Sequence, residues 1–220
     1  MSIVYDTRFI HPHGDRSLAK LFLMNEAPGP SEAQAGIPSF GRQGCNIFHS
    51  FRAAGISWAV AHQKFKWPTS DSKQHDRNEK KSEFLTDRSN HITCTNSYPF
   101  WPRPNLESNG FCAPLDDDVK SKENIERIRA EISPAHSAIF ICGTSAYLAC
   151  IGEQICNPKS RECTELNEAE MLKLNSRLAA KFEIGWYMGH TRRWLMRKNK
   201  TVFALRQMAS FMGWSVEGGD

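Results

Sequence analysis

Short apolar runs alternating with amphipathic stretches set the pattern of this chain. Leu21, Phe22, Leu23 and Met24 form an unbroken apolar run that stops at Glu26, Ala27, Pro28 and Gly29, which predicts a buried strand followed by a turn. Beyond Gly41 and Gly44, the residues Ile47, Phe48, Phe51 and Ala54 recur at helical spacing, and Gly55 marks the end of that helix. A second strand is expected over 91–96, and Pro99, Pro102 and the proline at 104 prevent its continuation. Asp116, Asp117 and Asp118 suit the start of a helix whose apolar stripe is Ile125, Ile128 and Ile132 and which ends before Pro134. Ala138 to Cys142 reads as a third buried strand, with Gly143 opening a helix through Tyr147 and Leu148. Met171, Leu174, Leu178 and Phe182 mark another helix, and Glu183 to Met188 a fourth strand that delivers Gly189 and His190. Val202, Leu205, Ala209 and Met212 form the inward stripe of a C-terminal helix.

Strand and helix alternate throughout, so the fold class expected is α/β: a three-layer α/β/α sandwich around a short, mainly parallel four-stranded sheet. At 220 residues with 40% hydrophobic composition, the chain can bury one substantial core, and residues 1–220 read as a single domain without internal repeats. Residues 64–88 are rich in Lys, Asp, Ser, Glu and Asn and read as a polar exposed insertion. Ligands of open α/β sheets sit at the carboxyl ends of the strands. The residues there are Glu26 and Glu32, Asn96, and His190.

Composition narrows the class further. No apolar run approaches the roughly 20 residues that span a bilayer, and the N-terminus carries Asp6 where a secretory signal needs bases, so no membrane partner is expected and a cytoplasmic location is. The seven cysteines lack the close pairs of zinc sites, which predicts reduced thiols and no metal. Net charge is +4 with a pI near 8.7, compatible with nucleic acid. Its distribution says more: Trp186 to Ser215 contains no acid, while Arg192, Arg193, Arg197, Lys198, Lys200 and Arg206 fall inside that window. A polyanion can lie against this end of the chain.

The turn Asn25, Glu26, Ala27, Pro28, Gly29, with Glu32 three residues on and Gly36, Ile37, Pro38, Ser39, Phe40, Gly41 following, resembles the signature of the uracil-DNA glycosylase superfamily, in particular its Gly-Glu-Ala-Pro-Gly branch. Asn25 stands in place of the first Gly and Ser39 in place of a Phe. Asn96 and His190 follow in the order of that superfamily, so the resemblance covers roughly residues 18 to 212. It implies an enzyme that flips a nucleotide out of DNA, binds the base and hydrolyses its bond to deoxyribose. By the same resemblance, His190 donates to a pyrimidine oxygen as negative charge develops, and Glu26 and Glu32 orient water or stabilise the cationic sugar. Asn96 reads the base edge, and Asn25, Ala27, Gly29, Ser39 and Phe40 shape the base pocket.

Many relatives of that branch carry a four-cysteine iron–sulfur cluster. Here no cysteine precedes Cys45, Phe100 stands at the third ligand position and only Cys112 lies near the fourth, so no cofactor is expected. Gly29 stands where a tyrosine blocks pyrimidine C5 in the strictest uracil enzymes, which admits 5-substituted bases, including the glucosylated hydroxymethylcytosine of phage DNA. Arg192, Arg193 and Trp194 are candidates for the wedge that enters the duplex, Arg197, Lys198 and Lys200 for phosphate contacts, and Arg103 with Trp101 for secondary DNA contacts. The expected activity is that of a monofunctional, monomeric DNA glycosylase acting on uracil or a related modified pyrimidine in repair or phage defence. A non-catalytic sensor of modified DNA and a nucleoside hydrolase are the alternatives.

Overall fold

The computed structural model describes residues 3–62, 84–103 and 113–217, without the side chains of Arg42, Arg103 and Arg192. Two short strands, β1 (Val4–Tyr5) and β4 (Pro102–Arg103), pair antiparallel beside the main body. The central sheet takes β2 (Leu21–Asn25), β3 (Ile92–Asn96), β5 (Ala138–Ile141), β6 (Thr164–Glu165) and β7 (Ile184–Tyr187) in the order β3-β2-β5-β7-β6. Four of these run parallel, with Leu21 opposite Ile92 and Ala138, and Ala138 opposite Ile184.

Because successive strand residues face opposite sides, the apolar runs feed two cores. Leu21, Leu23, Cys94, Phe140 and Trp186 pack with Ile47, Phe48 and Phe51 of α2 (Arg42–Ala53) and with Leu205 and Met208 of the C-terminal helix. Phe22, Met24, Ile139 and Ile141 pack on the other face with Val119, Ile128, Tyr147, Leu174 and Leu178. The result is the expected α/β/α sandwich. Helices α1 (Pro30–Ala35), α2, α3 (Ser57–Val60) and α4 (84–91) precede β3. Then come α5 (Asp116–Lys120), α6 (Lys122–Glu131), α7 (Thr144–Ile151), α8 (Pro158–Arg161), α9 (Glu168–Leu178) and α10 (Lys198–Met212). No helix among the described residues is long and apolar enough to cross a membrane.

Four expectations need correction. The sheet has five strands rather than four, because Thr164 and Glu165 pair antiparallel with Tyr187 and Trp186, a strand too short to show alternation. The single helix expected from 116 to 132 is two, broken at Ser121, whose ψ of 147° is extended and whose hydroxyl accepts from Asn124 N at 3.2 Å to cap α6. The helix expected to reach Phe182 stops at Leu178, after which Ala179 turns left-handed. Residues 63–83 of the expected insertion lie outside the described residues, but 84–88 are not an exposed part of it: they belong to α4, where Phe84 and Arg88 are fully buried.

Candidate active site

Parallel β2, β3, β5 and β7 deliver their carboxyl ends to one rim, and the turn after β2 carries Glu26 there. Glu26 Oε1 accepts hydrogen bonds from Thr144 N at 2.7 Å, Thr144 Oγ1 at 3.1 Å and Ser145 N at 3.4 Å. These are the first residues of α7, so the carboxylate faces otherwise unpaired amides and the positive end of the helix dipole. Gly143 makes the approach possible: its φ is +104°, and a Cβ there would overlap the Glu26 carboxyl group. The main-chain oxygen of Glu26 accepts from Ser97 Oγ and from Tyr98 N, tying the same residue to the end of β3.

His190 arrives from β7, its Nε2 3.7 Å from Glu26 Oε2. Gly189 before it has φ +67°, and a Cβ there would overlap the Glu162 side chain. Glu162 is buried and forms ion pairs with Arg193 Nη1 at 2.7 Å and Arg197 Nε at 2.6 Å, folding the segment after His190 back on itself. A 3-10 turn, Thr191–Arg193, is anchored to α2 because Asn46 Nδ2 donates to Thr191 O at 3.1 Å. Between these groups lies a cleft of about 530 Å³, lined among others by Glu26, Thr144, Lys159, Tyr187, His190 and Met196. Burial first, then the charges of Glu26 and Glu162, pushes the Tyr187 hydroxyl well above its ordinary pKa and keeps it a proton donor.

Asn25 and Asn96 are partners in register across β2 and β3. Asn96 is fully buried, and neither amide atom has a hydrogen-bond partner among the described residues. Its main chain is held from the opposite layer, where Arg127 Nη2 donates to Asn96 O at 2.8 Å and Asn124 Nδ2 to Ser97 O at 2.7 Å. Asn25 Nδ2 donates to Ser39 Oγ at 2.7 Å. Ser39 has φ +56°, an uncommon conformation for a side-chain-bearing residue. It is held there by Arg88 Nη1 donating to its carbonyl at 3.0 Å and by its own N–H donating to Glu32. Glu32 also accepts from Gly29 N at 2.7 Å. Burial raises its pKa to about 7, against the backbone amides and Arg88, which lower it.

The structure brings Glu26, Asn25, Asn96 and His190 to one rim. Glu32 and Ser39 stand behind that rim, both buried, and Glu32 ties the 29 turn to the 39 loop. Ala27, Gly29 and Phe40 are half-buried in these loops. At Gly29 a Cβ would meet only Glu32 Oε2, at an ordinary 3.5 Å. The wedge assigned to Trp194 is corrected: its ring is 1% exposed and packs edge-on against Phe140, so it belongs to the core. Arg193, a candidate for the wedge, and Arg197, a candidate for phosphate contact, are both paired with Glu162. Lys198 and Lys200 are exposed. Arg103 lies in β4 and Arg192 in the 3-10 turn, and their side chains fall outside the described ones.

Met196, 82% exposed at the cleft, and its exposed neighbour Leu195 join the candidate site although no motif singles them out. Two apolar residues inside a basic, acid-free stretch were the available signal. Gly143, Thr144, Arg88 and Glu162 were also missed, because their partners are distant in sequence. An iron–sulfur cluster does not fit the residues present: Phe100 packs edge-on against Phe9, with ring centroids 5.7 Å apart, where a thiolate is needed. Among the described residues no three His, Cys, Asp or Glu side chains gather as metal ligands.

No protein-family model and no curated protein matches this chain.

Proposed function

We propose that the protein is a monofunctional DNA glycosylase that holds an everted uracil or related modified pyrimidine at the strand ends and hydrolyses its N-glycosidic bond, leaving an abasic site. The observation that carries this reading is the pair Glu26 and His190, 3.7 Å apart at the mouth of a cleft, one fixed by the start of α7 and the other by the turn after β7. Bond cleavage builds positive charge on the sugar and negative charge on the departing base. A carboxylate whose Oε1 is occupied by three donors leaves Oε2 to face the sugar or to orient water. An imidazole N–H aimed at the base oxygen stabilises the opposite charge, an effect that reaches about 3–4 kcal/mol for comparable oxyanions.

The resemblance of the 25–41 turn to uracil-DNA glycosylases supports the same reading, as do the exposed Lys159 at the cleft and the exposed Lys198 and Lys200 at the start of α10. The open contact at Gly29 favours including pyrimidines with large C5 groups, as found in phage DNA. The test is base release, measured by mass spectrometry, from single strands and duplexes carrying uracil and other altered bases, followed by alkaline cleavage of abasic sites. Glu26→Gln and His190→Ala are each expected to slow release by about 100-fold or more while leaving DNA binding in place. Intact DNA across the whole panel with the parent protein refutes the activity.

A further inference from the structure

We propose that Asn25 makes the pocket select a pyrimidine with an exocyclic amino group beside a ring-nitrogen acceptor, the cytosine-type edge, over uracil. This rests on the glycosylase reading for where the base sits and goes beyond it in naming the edge that is read.

Asn25 and Asn96 stand side by side on adjacent parallel strands, and alternation puts both on the face that also carries Leu23 and Cys94. Asn25 is 1% exposed and Asn96 fully buried. The orientation of the Asn25 amide is fixed by its surroundings: Nδ2 donates to Ser39 Oγ at 2.7 Å and lies 3.4 Å from Thr95 O, an atom that can only accept. Oδ1 is therefore the end left over. Asn25 Oδ1, Asn96 Oδ1 and Asn96 Nδ2 all lack a hydrogen-bond partner among the described residues. Amide atoms shut away from water are costly unless something meets them, and three from two side chains at neighbouring strand ends mark a site for a polar ligand.

The free set comprises two acceptors and one donor group, so its complement offers two N–H hydrogens and one acceptor. Cytosine provides these along one edge, with both hydrogens on N4 and an acceptor at N3. Uracil offers a single N3–H between two carbonyl oxygens. Once Asn96 has paired with N3–H and O4, Asn25 Oδ1 is left against an oxygen with no proton between them. A substituent at C5 adds nothing to and removes nothing from this edge, so 5-substituted cytosines belong to the same class. A resident glycine at this position, with no amide, has no such preference.

The test uses single strands carrying one 2′-fluoroarabino nucleotide with cytosine, 5-hydroxymethylcytosine, uracil or adenine as the base. Their glycosidic bond resists hydrolysis, so binding is read by fluorescence anisotropy, and the ordinary deoxynucleotides report turnover in parallel. The expected result is that a cytosine-type base is held at least about tenfold more tightly than uracil, and that Asn25→Gly and Asn25→Ala bring the two within about twofold. Melting curves identify the variants that fold, and the parent's own preference decides the matter if neither does. Uracil held as tightly as cytosine, adenine held best, or an undiminished preference in a folded variant overturns the inference. Binding with the stated preference but intact deoxynucleotide strands supports the edge assignment and refutes hydrolysis instead.

Discussion

Position 143 has room for hydrogen only. A methyl there would run into the Glu26 carboxyl group in a backbone conformation that side chains rarely adopt. Gly143→Ala is therefore expected to displace Glu26 from Thr144 N and lower kcat by about 100-fold, with KM little changed, in steady-state base-release kinetics. Glu32 makes a different prediction, through pH. The unfolded chain releases its proton near 4.5 and the folded protein near 7, so folding takes up a proton between those values. Its contribution to stability is greatest below pH 4.5 and is lost as pH rises through about 7. His13 and His136, lowered by burial from 6.5 to about 4, act in the opposite sense, stabilising above 6.5 and losing that contribution as pH falls through about 4. Denaturant titrations of Glu32→Gln against the parent isolate the first effect: the parent is expected to lose stability relative to the variant between pH 4.5 and 7, and a constant difference contradicts it.

At the level of elements, the segment from Gly189 to α10 separates into a buried part and an outward part. Trp194 and the Glu162 ion pairs hold it, while Leu195 and Met196 project. Met196→Ala is expected to reduce duplex cleavage about tenfold and single-strand cleavage hardly at all, because an apolar side chain filling the vacated stack offsets unstacking only in a duplex. Trp194→Ala instead opens a core cavity and is expected to cost about 3–5 kcal/mol in denaturant unfolding. The division was not legible in the sequence. Trp194 sits among cations and reads as exposed, and only its packing against Phe140 assigns it to the interior. The parallel strands were legible because β2, β5 and β7 are mainly apolar runs, while β3, Ile-Thr-Cys-Thr-Asn, is rich in β-branched residues and bounded by a proline-rich turn. β6 was not, being two residues long with both exposed. The strand ends that carry Glu26, Asn96 and His190 followed from those runs. The clamps on them did not, because Glu26 to Thr144 and Arg88 to Ser39 are long-range polar contacts with no periodicity to betray them.

Across the whole molecule, charge is unevenly placed. Lys159 at the cleft and Lys198 and Lys200 at the start of α10 are exposed, whereas Arg193 and Arg197 share the single charge of Glu162. Under the proposed function, the exposed lysines, which no carboxylate of this cluster holds, are the stronger candidates for displacing counterions from a phosphate backbone. Replacing Lys198 and Lys200 together by alanine is expected to reduce the slope of log affinity against log salt by about 2 on duplex DNA, read by anisotropy, whatever base it carries. Glu162→Gln should steepen it by releasing two arginines. The order of assembly follows from one feature of the sheet. β7, the last in chain order of the parallel strands among the described residues, lies inside the sheet between β5 and β6 and brings His190 to a Glu26 more than 160 residues earlier in the chain. Glu26 and His190 thus cannot meet before that strand has docked, and, for the activity proposed above, recovery of base release during refolding is expected to follow its docking.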